Sequence, residues 1–289
     1  MFDSICFYHS GDLDGHCAGA VVHYFTHADC CGVDYGDSLP FDVLAHDDYT
    51  TVYVVDFSFT TKEMRYLAKN YNLVWIDHHK TNLNLFNELH SNYPSFKWSF
   101  ALNYAACELA YLFFTAGGGE IPDFVHLLGR YDVWDHDDER VLPFQYGMRL
   151  EYNNQKPVDA IWKYLFNYED GTLLDSIIST GKTVLEYQKS LDEKAIKNAF
   201  EVNFHGYKAI AVNVQQVSTY TFAHYQSEYD IGIGFHYQPG RGVVMSLRSL
   251  SDDVDVSAIA DKYDGGGHKG AAGFVVSTAL AKKLLKIKE

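Results

Sequence analysis

Asn72-Leu73-Val74-Trp75-Ile76-Asp77-His78-His79 is an apolar, β-favouring run that stops abruptly at a carboxylate and two imidazoles. Such a run reads as a strand buried on both faces. In open α/β folds, groups delivered to the carboxyl edge of a parallel sheet build the site. Two further runs end in the same way. Ile5-Cys6-Phe7-Tyr8 leads into His9-Ser10-Gly11-Asp12-Leu13-Asp14-Gly15, and Thr51-Val52-Tyr53-Val54-Val55 leads into Asp56. Three strands that each end in hard-metal ligands define a metal site at one sheet edge.

Working outward, strand-like stretches near 5–9, 31–35, 51–56 and 72–77 alternate with helix-like stretches at 15–26 and 61–69. That alternation predicts right-handed βαβ units on a parallel sheet. Helices follow: Phe100–Phe114 is apolar on most faces and closes at Gly117-Gly118-Gly119, and Pro122 opens a helix that runs into Arg130-Tyr131-Asp132-Val133-Trp134-Asp135. From Leu173 to about Phe200 the pattern is a long, charged, amphipathic helix, suited to joining two lobes. A second alternation begins beyond it, with strands at 207–214, 231–237 and 242–250 and helices near 219–228 and 254–263. The reading is an α/β protein: a parallel-sheet N-terminal domain over 1–172, a helical linker over 173–205 and a smaller α/β C-terminal domain over 206–289.

Composition limits the function. The chain has 289 residues, 47% of them hydrophobic, which suits two packed domains and excludes extensive disorder. No stretch reaches the ~18 apolar residues of a membrane span, and the basic n-region of a signal peptide is absent, so a cytoplasmic protein without a membrane partner is expected. Five cysteines without CxxC spacing argue against a disulfide framework and against a zinc knuckle. The net charge of −15 lacks the basic stripe needed to track long nucleic acid.

The candidate ligands are His9, Asp12, Asp14, Asp56, His78 and Asp132, with Asp135 as an alternate to Asp132. Carboxylates with a few imidazoles suit Mn²⁺, Mg²⁺ or Co²⁺ better than a thiolate zinc site. Two such ions about 3.5–4 Å apart supply a nucleophile and neutralise a phosphoryl group. Each piece has a purely structural alternative: Asp12, Asp14 and Asp56 as helix caps, and the two histidines as exposed loop residues. Near the C-terminus, Gly265-Gly266-Gly267 is expected to expose successive backbone N–H groups to anionic oxygens. His268 and Arg248 would add donors there.

Five segments in order, HSGDLDG (9–15), VVDFS (54–58), DHH (77–79), RYDVWD (130–135) and GGGHKGAAGF (265–274), together span nearly the whole chain. In these it resembles the DHH phosphoesterases with a DHH-associated C-terminal domain. The resemblance implies a two-metal, Mn²⁺-dependent hydrolase of the group that includes oligoribonucleases, cyclic-dinucleotide phosphodiesterases, RecJ-type exonucleases, exopolyphosphatases and type II pyrophosphatases. It implies that His9 and Asp12 hold one ion, that Asp14, His78 and Asp132 hold the other, and that Asp56 bridges them. Asp77 would orient His78, and His79 would face the scissile phosphate. The glycine-rich signature would face the metals across a cleft. With an acidic surface, the expected substrate is a short oligonucleotide or dinucleotide cleaved to 5′-mononucleotides. Pyrophosphate or polyphosphate hydrolysis, or a non-catalytic nucleotide-binding module, are the alternatives, and a homodimer is left open.

Overall fold

The computed structural model describes residues 3–46, 48–151, 156–167, 171–217, 221–267 and 269–286, and the chain divides into two compact units, Met1–Leu185 and Glu186–Glu289. Among the described residues the first unit holds a five-stranded sheet of β1 (Ser4–His9), β2 (Asp29–Val33), β3 (Thr51–Val55), β4 (Asn72–Asp77) and β5 (Lys97–Phe100). All pairs are parallel, in the order β2-β1-β3-β4-β5. Its helices are α1 (Leu13–Thr26), α2 (Phe41–His46), α3 (Thr61–Asn70), α4 (Leu83–Asn92), α5 (Ala106–Phe114), α6 (Asp123–Asp132), α7 (Val141–Glu151), α8 (Ala160–Asn167) and the first part of α9 (Thr172–Ala195).

Helices cover both faces of this sheet, which explains why its strands read as unbroken apolar runs. Cys6, Tyr8, Tyr53, Val55, Val74 and Ile76 pack with α1, α5 and α6, while Ile5, Phe7, Val52, Val54, Leu73 and Trp75 pack with α3 and α4. The crossover β1-α1-β2 therefore runs over one face and β3-α3-β4 over the other. The strand order reverses between β1 and β3, the position at which open α/β sheets place a crevice outside the strand ends. Trp75 is fully buried, stacks on Phe86 with ring centroids 3.7 Å apart, and donates its indole N–H to the Phe57 carbonyl at 2.8 Å. That bond ties the loop after β3 to the neighbouring strand, and burying such a side chain is worth roughly 1.5–3 kcal/mol.

The second unit contains a six-stranded mixed sheet in the order β10-β11-β9-β8-β7-β6. Its elements are β6 (Phe200–Phe204), β7 (Tyr207–Asn213), β8 (Ile231–Gln238), β9 (Gly242–Ser249), α10 (Ser257–Ala260), β10 (Gly266–Gly267), β11 (Ala271–Val276) and α11 (Thr278–Leu285). Only β7 and β8 pair in parallel. Among the described residues no helix is long and apolar enough to cross a membrane.

Three expectations shift here. The linker is one helix, α9, whose Ile177 and Ile178 belong to the core of the first unit, and residues 200–204 form an edge strand of the second sheet. No long helix occupies 221–228, where the structure shows a 3₁₀ turn at Ala223–Tyr225. Phe222 is buried and packs against the bare Cα of Gly232 in β8, so one aromatic ring covers sheet that a helix was expected to cover. The segment 254–263 is a short helix followed by a 3₁₀ turn.

Candidate metal centre

The strand ends at the switch point bring the ligands together. β1 ends at His9, and the chain turns at once into α1. Gly15 makes this approach possible, since a Cβ there would lie 2.1 Å from the His9 carbonyl oxygen. Asp12 is the N-cap of α1: Oδ1 accepts from Gly15 N–H at 3.0 Å, while Oδ2 faces His9 Nδ1 at 3.2 Å. Cap and candidate ligand are thus the same residue. After β3 the backbone enters the left-handed region at Asp56 (φ 54°), and the Asp56 N–H donates to Ile76 O at 3.0 Å. A non-glycine residue in that conformation carries local strain of order 1 kcal/mol or more, as functional sites often do.

Asp56 lies between two groups of ligands. Its Oδ2 is 3.5 Å from His9 Nδ1 and its Oδ1 is 3.3 Å from His78 Nε2. The same His78 nitrogen is 3.3 Å from Asp132 Oδ2 and 3.8 Å from Asp14 Oδ2. The ligand atoms of His9, Asp12 and Asp56 lie within 4.8 Å of one another, as do those of Asp14, His78 and Asp132. Asp135 goes elsewhere: its carboxylate pairs with Arg130 at 3.4 Å.

Asp77 differs from its expected role. Its Oδ1 accepts from the backbone N–H of His78 at 2.7 Å and of His79 at 3.1 Å, and it lies 2.7 Å from His79 Nδ1. Its Oδ2 accepts from Asn82 Nδ2 at 2.6 Å. The imidazole it orients is therefore that of His79, because the tight turn after β4 folds His79 back over the carboxylate while His78 reaches forward to Asp14, Asp56 and Asp132.

Burial and mutual repulsion dominate the electrostatics. Burial opposes charging His9, yet the carboxylates of Asp12 and Asp56 outweigh it and push its pKa up to about 11. In the same way Asp56, Asp14 and Asp132 overcome burial and push His78 up to about 10. Burial and the charge on Asp56 raise Asp14 to about 7, and burial with Asp14 raises Asp132 to about 7. Burial and Asp12 raise Asp56, whereas contact with His9 outweighs burial and holds Asp12 below the ordinary carboxylate range. Without other cations, protons are the charge that balances this cluster.

The donor set also fits divalent ions sterically. His9 Nδ1, Asp56 Oδ1 and Asp132 Oδ2 are buried with no hydrogen-bond partner. Buried polar atoms are ordinarily paired, so such atoms within the two ligand groups fit residues that hold cations.

Several contributors carried no obvious sequence signal of function. Asp34, just after β2, places Oδ1 3.3 Å from His9 Nε2. Asp14 accepts from the N–H groups of Ala106 and Cys107 at the start of α5, both at 2.8 Å. Glu108 is fully buried in α5, accepts from the Ala105 N–H at 3.2 Å, contacts His126 and pairs with Arg130. This anchors α6, and hence Asp132, to α5. A lone acid inside the apolar run 100–114 was the available signal, because buried glutamate is rare without a partner.

The second unit supplies the other candidates. Arg248, on β9, is opposite Ala271 of β11 and donates to the carbonyls of Leu247 at 3.1 Å and Val217 at 3.5 Å. The glycine run is not an open row of donors: Gly265 N–H donates to Ala260 O at 3.1 Å, and Gly266–Gly267 form an edge strand on β11. Gly267 has φ 139°, which explains the glycine there. His268 lies outside the described residues.

No family model matches the chain. An uncharacterized protein of Acanthamoeba polyphaga mimivirus is 24% identical over 220 residues, 70% of this chain and 47% of that protein, so the chain spans about half the length of this curated relative. Among solved structures, the DHH domain of a protein assigned to a family of ribosomal proteins matches with a TM-score of 0.63 at 14% identity, covering 98% of this chain and 84% of that one. The pGpG-specific phosphodiesterase PggH of Vibrio cholerae matches with a TM-score of 0.53 at 13% identity, over 99% and 97% of the two chains. RecJ of Thermus thermophilus, solved with Mn²⁺, matches with a TM-score of 0.52 at 15% identity, over 98% of this chain and 51% of that one. The chain shares the fold of these DHH-domain, PggH and RecJ structures.

Proposed function

We propose that the chain is a divalent-metal-dependent phosphoesterase that cleaves short phosphodiesters, such as dinucleotides, to 5′-mononucleotides. The observation that carries this reading is the pair of ligand groups joined through the two oxygens of Asp56, with buried ligand atoms left without partners. His9, Asp12 and Asp56 would hold one ion, and Asp14, His78, Asp132 and Asp56 the other. Bound there, two ions would activate water and neutralise nonbridging phosphoryl oxygens. Mn²⁺ is the best candidate, since imidazoles favour a softer ion than Mg²⁺. Asp77 holds the His79 ring, and the His79 pKa is raised because this hydrogen bond and charge outweigh burial. A charged His79 can donate to a phosphate oxygen. A dinucleotide substrate is supported by the acidic composition, which offers long RNA little attraction, and by the pGpG specificity of the fold neighbour PggH.

The test is to strip the purified protein with EDTA and add back Mn²⁺ or Mg²⁺. It is then offered a linear diribonucleotide, a cyclic dinucleotide, a longer RNA and pyrophosphate. Mn²⁺-restored cleavage of a dinucleotide is expected. Full turnover in excess EDTA, or turnover of pyrophosphate alone, overturns the reading.

A further inference from the structure

The first unit also builds a pocket of about 290 Å³ beside His79, near the lower end of the roughly 300–1,000 Å³ of small-molecule sites. Of its nine lining residues none is Asp, Glu, Lys or Arg. Tyr35, Phe59 and Leu85 give it apolar walls, and Thr61, Thr81 and Asn82 give it polar edges. His79 at its edge is the donor assigned to the reacting phosphate, and with no Lys or Arg in the lining nothing else there offsets the charge of a second phosphate. It suits an uncharged group with hydrogen-bonding edges and a flat face.

Tyr35 supplies the platform for that face. It is 61% exposed, although large aromatic side chains are usually buried. Its ring is nonetheless fixed: it sits 5.0 Å from the His9 ring and 5.5 Å from Phe57, and its hydroxyl is 3.4 Å from His79 Nε2. The Tyr35 N–H donates to Asp34 Oδ1 at 2.7 Å, the same oxygen that faces His9. The ring is therefore positioned by the residues of the metal centre.

Resting on the phosphoesterase reading, we infer that this pocket holds the nucleoside bonded to the reacting phosphate, with its base stacked on Tyr35. The pocket has room for one nucleoside. Recognition of that group would make the enzyme selective for nucleotides over pyrophosphate and polyphosphate.

The experiment is calorimetric titration of the Mn²⁺-loaded protein with adenosine 5′-monophosphate and with ribose 5-phosphate, which lacks the base. The wild type is expected to bind the nucleotide at least about tenfold more tightly, the scale of one base–aromatic stack. Tyr35→Ala should erase that preference. Leu85→Trp, which fills the pocket, should weaken nucleotide binding as much, and both variants should keep wild-type Mn²⁺ affinity and thermal unfolding. Equal affinity of the wild type for the two ligands overturns the inference, as does a preference that survives both substitutions. The two readings fail separately. A protein that hydrolyses none of the phosphoesters but prefers the nucleotide through Tyr35 loses the activity and keeps the pocket. Dinucleotide hydrolysis with a KM indifferent to Tyr35 and Leu85 keeps the activity and loses the pocket.

Discussion

In the first unit the side chains of His9, Asp12, Asp14, Asp56, His78 and Asp132 crowd together at the strand ends, whereas in the second unit the Gly265 N–H donates to a backbone carbonyl and Gly266–Gly267 pair with β11. Both regions look polar and functional in the sequence, but their energetics differ. At the strand ends burial and neighbouring carboxylates raise the pKa values of Asp14, Asp56 and Asp132, so their charged forms are costly to hold. The glycine-rich segment and Arg248 have backbone partners within their own unit, so their geometry is self-supporting. Clustered buried charge is costly to hold, whereas a segment whose donors meet backbone acceptors adds no such cost.

The strongest way to break this contrast is Asp56→Asn. Asparagine tolerates the left-handed backbone, so only the charge and one oxygen change. Activity should fall roughly 10³-fold or more in kcat, as for loss of a major electrostatic group. The metal-free variant should unfold at the same or a higher temperature than the metal-free wild type, because repulsion is relieved. Retention of more than a tenth of the activity would mean that Asp56 does not bridge.

Next is Glu108→Ala, which removes the link between α5 and α6 and leaves Arg130 with Asp135 and the Asn103 carbonyl. A loss of roughly 3–5 kcal/mol in unfolding free energy is expected for a broken buried pair, measured by denaturant titration. A change under about 1 kcal/mol would show that Arg130 is held by other contacts.

Acidity gives a third test. The pKa values of His9 and His78 lie at about 11 and 10 because carboxylates outweigh burial. Below that range an incoming ion must displace protons, so apparent Mn²⁺ affinity should climb from pH ~6 to ~9, with proton release. Titration in buffers of different ionisation enthalpy reads this directly, and a flat profile contradicts the assignment of both histidines as ligands.

The smallest effects separate the glycine-rich segment from Arg248. Arg248→Ala should raise KM by about 1.5–3 kcal/mol, the worth of a charged hydrogen bond, with Mn²⁺ affinity unchanged. Gly266→Ala should be almost silent, since a Cβ there meets nothing within 4 Å. Wild-type kinetics for Arg248→Ala would make that arginine a structural residue of β9.

How much of this was legible in the sequence depends on what each segment buries. β1, β3 and β4 stood out because both of their faces are covered, and the residues after each run had no apolar reason to be there. β5 was missed because Lys97-Trp98-Ser99-Phe100 is a short edge strand with partly exposed side chains. β6 was missed because a helix and a 3₁₀ turn run directly into it. At the centre, the resemblance already implied the two ligand groups with Asp56 between them, but the contacts that hold those groups in place were not legible. That Asp77 orients His79, and that Asp14 is gripped by α5, depends on contacts across a turn and across 92 positions of chain. Tyr35 and Asp34 passed unnoticed because a short loop after an outer strand resembles any other surface turn.

The grip of α5 on Asp14 bears on the order of events during synthesis. The Ala106 and Cys107 amides that hold both oxygens of Asp14 are made 92 and 93 residues after it. Asp132 follows later still. A chain that ends before those amides carries His9, Asp12, Asp56 and His78 but leaves Asp14 without its anchor. Assembly of the candidate site is therefore coupled to completion of the first unit as a folding body.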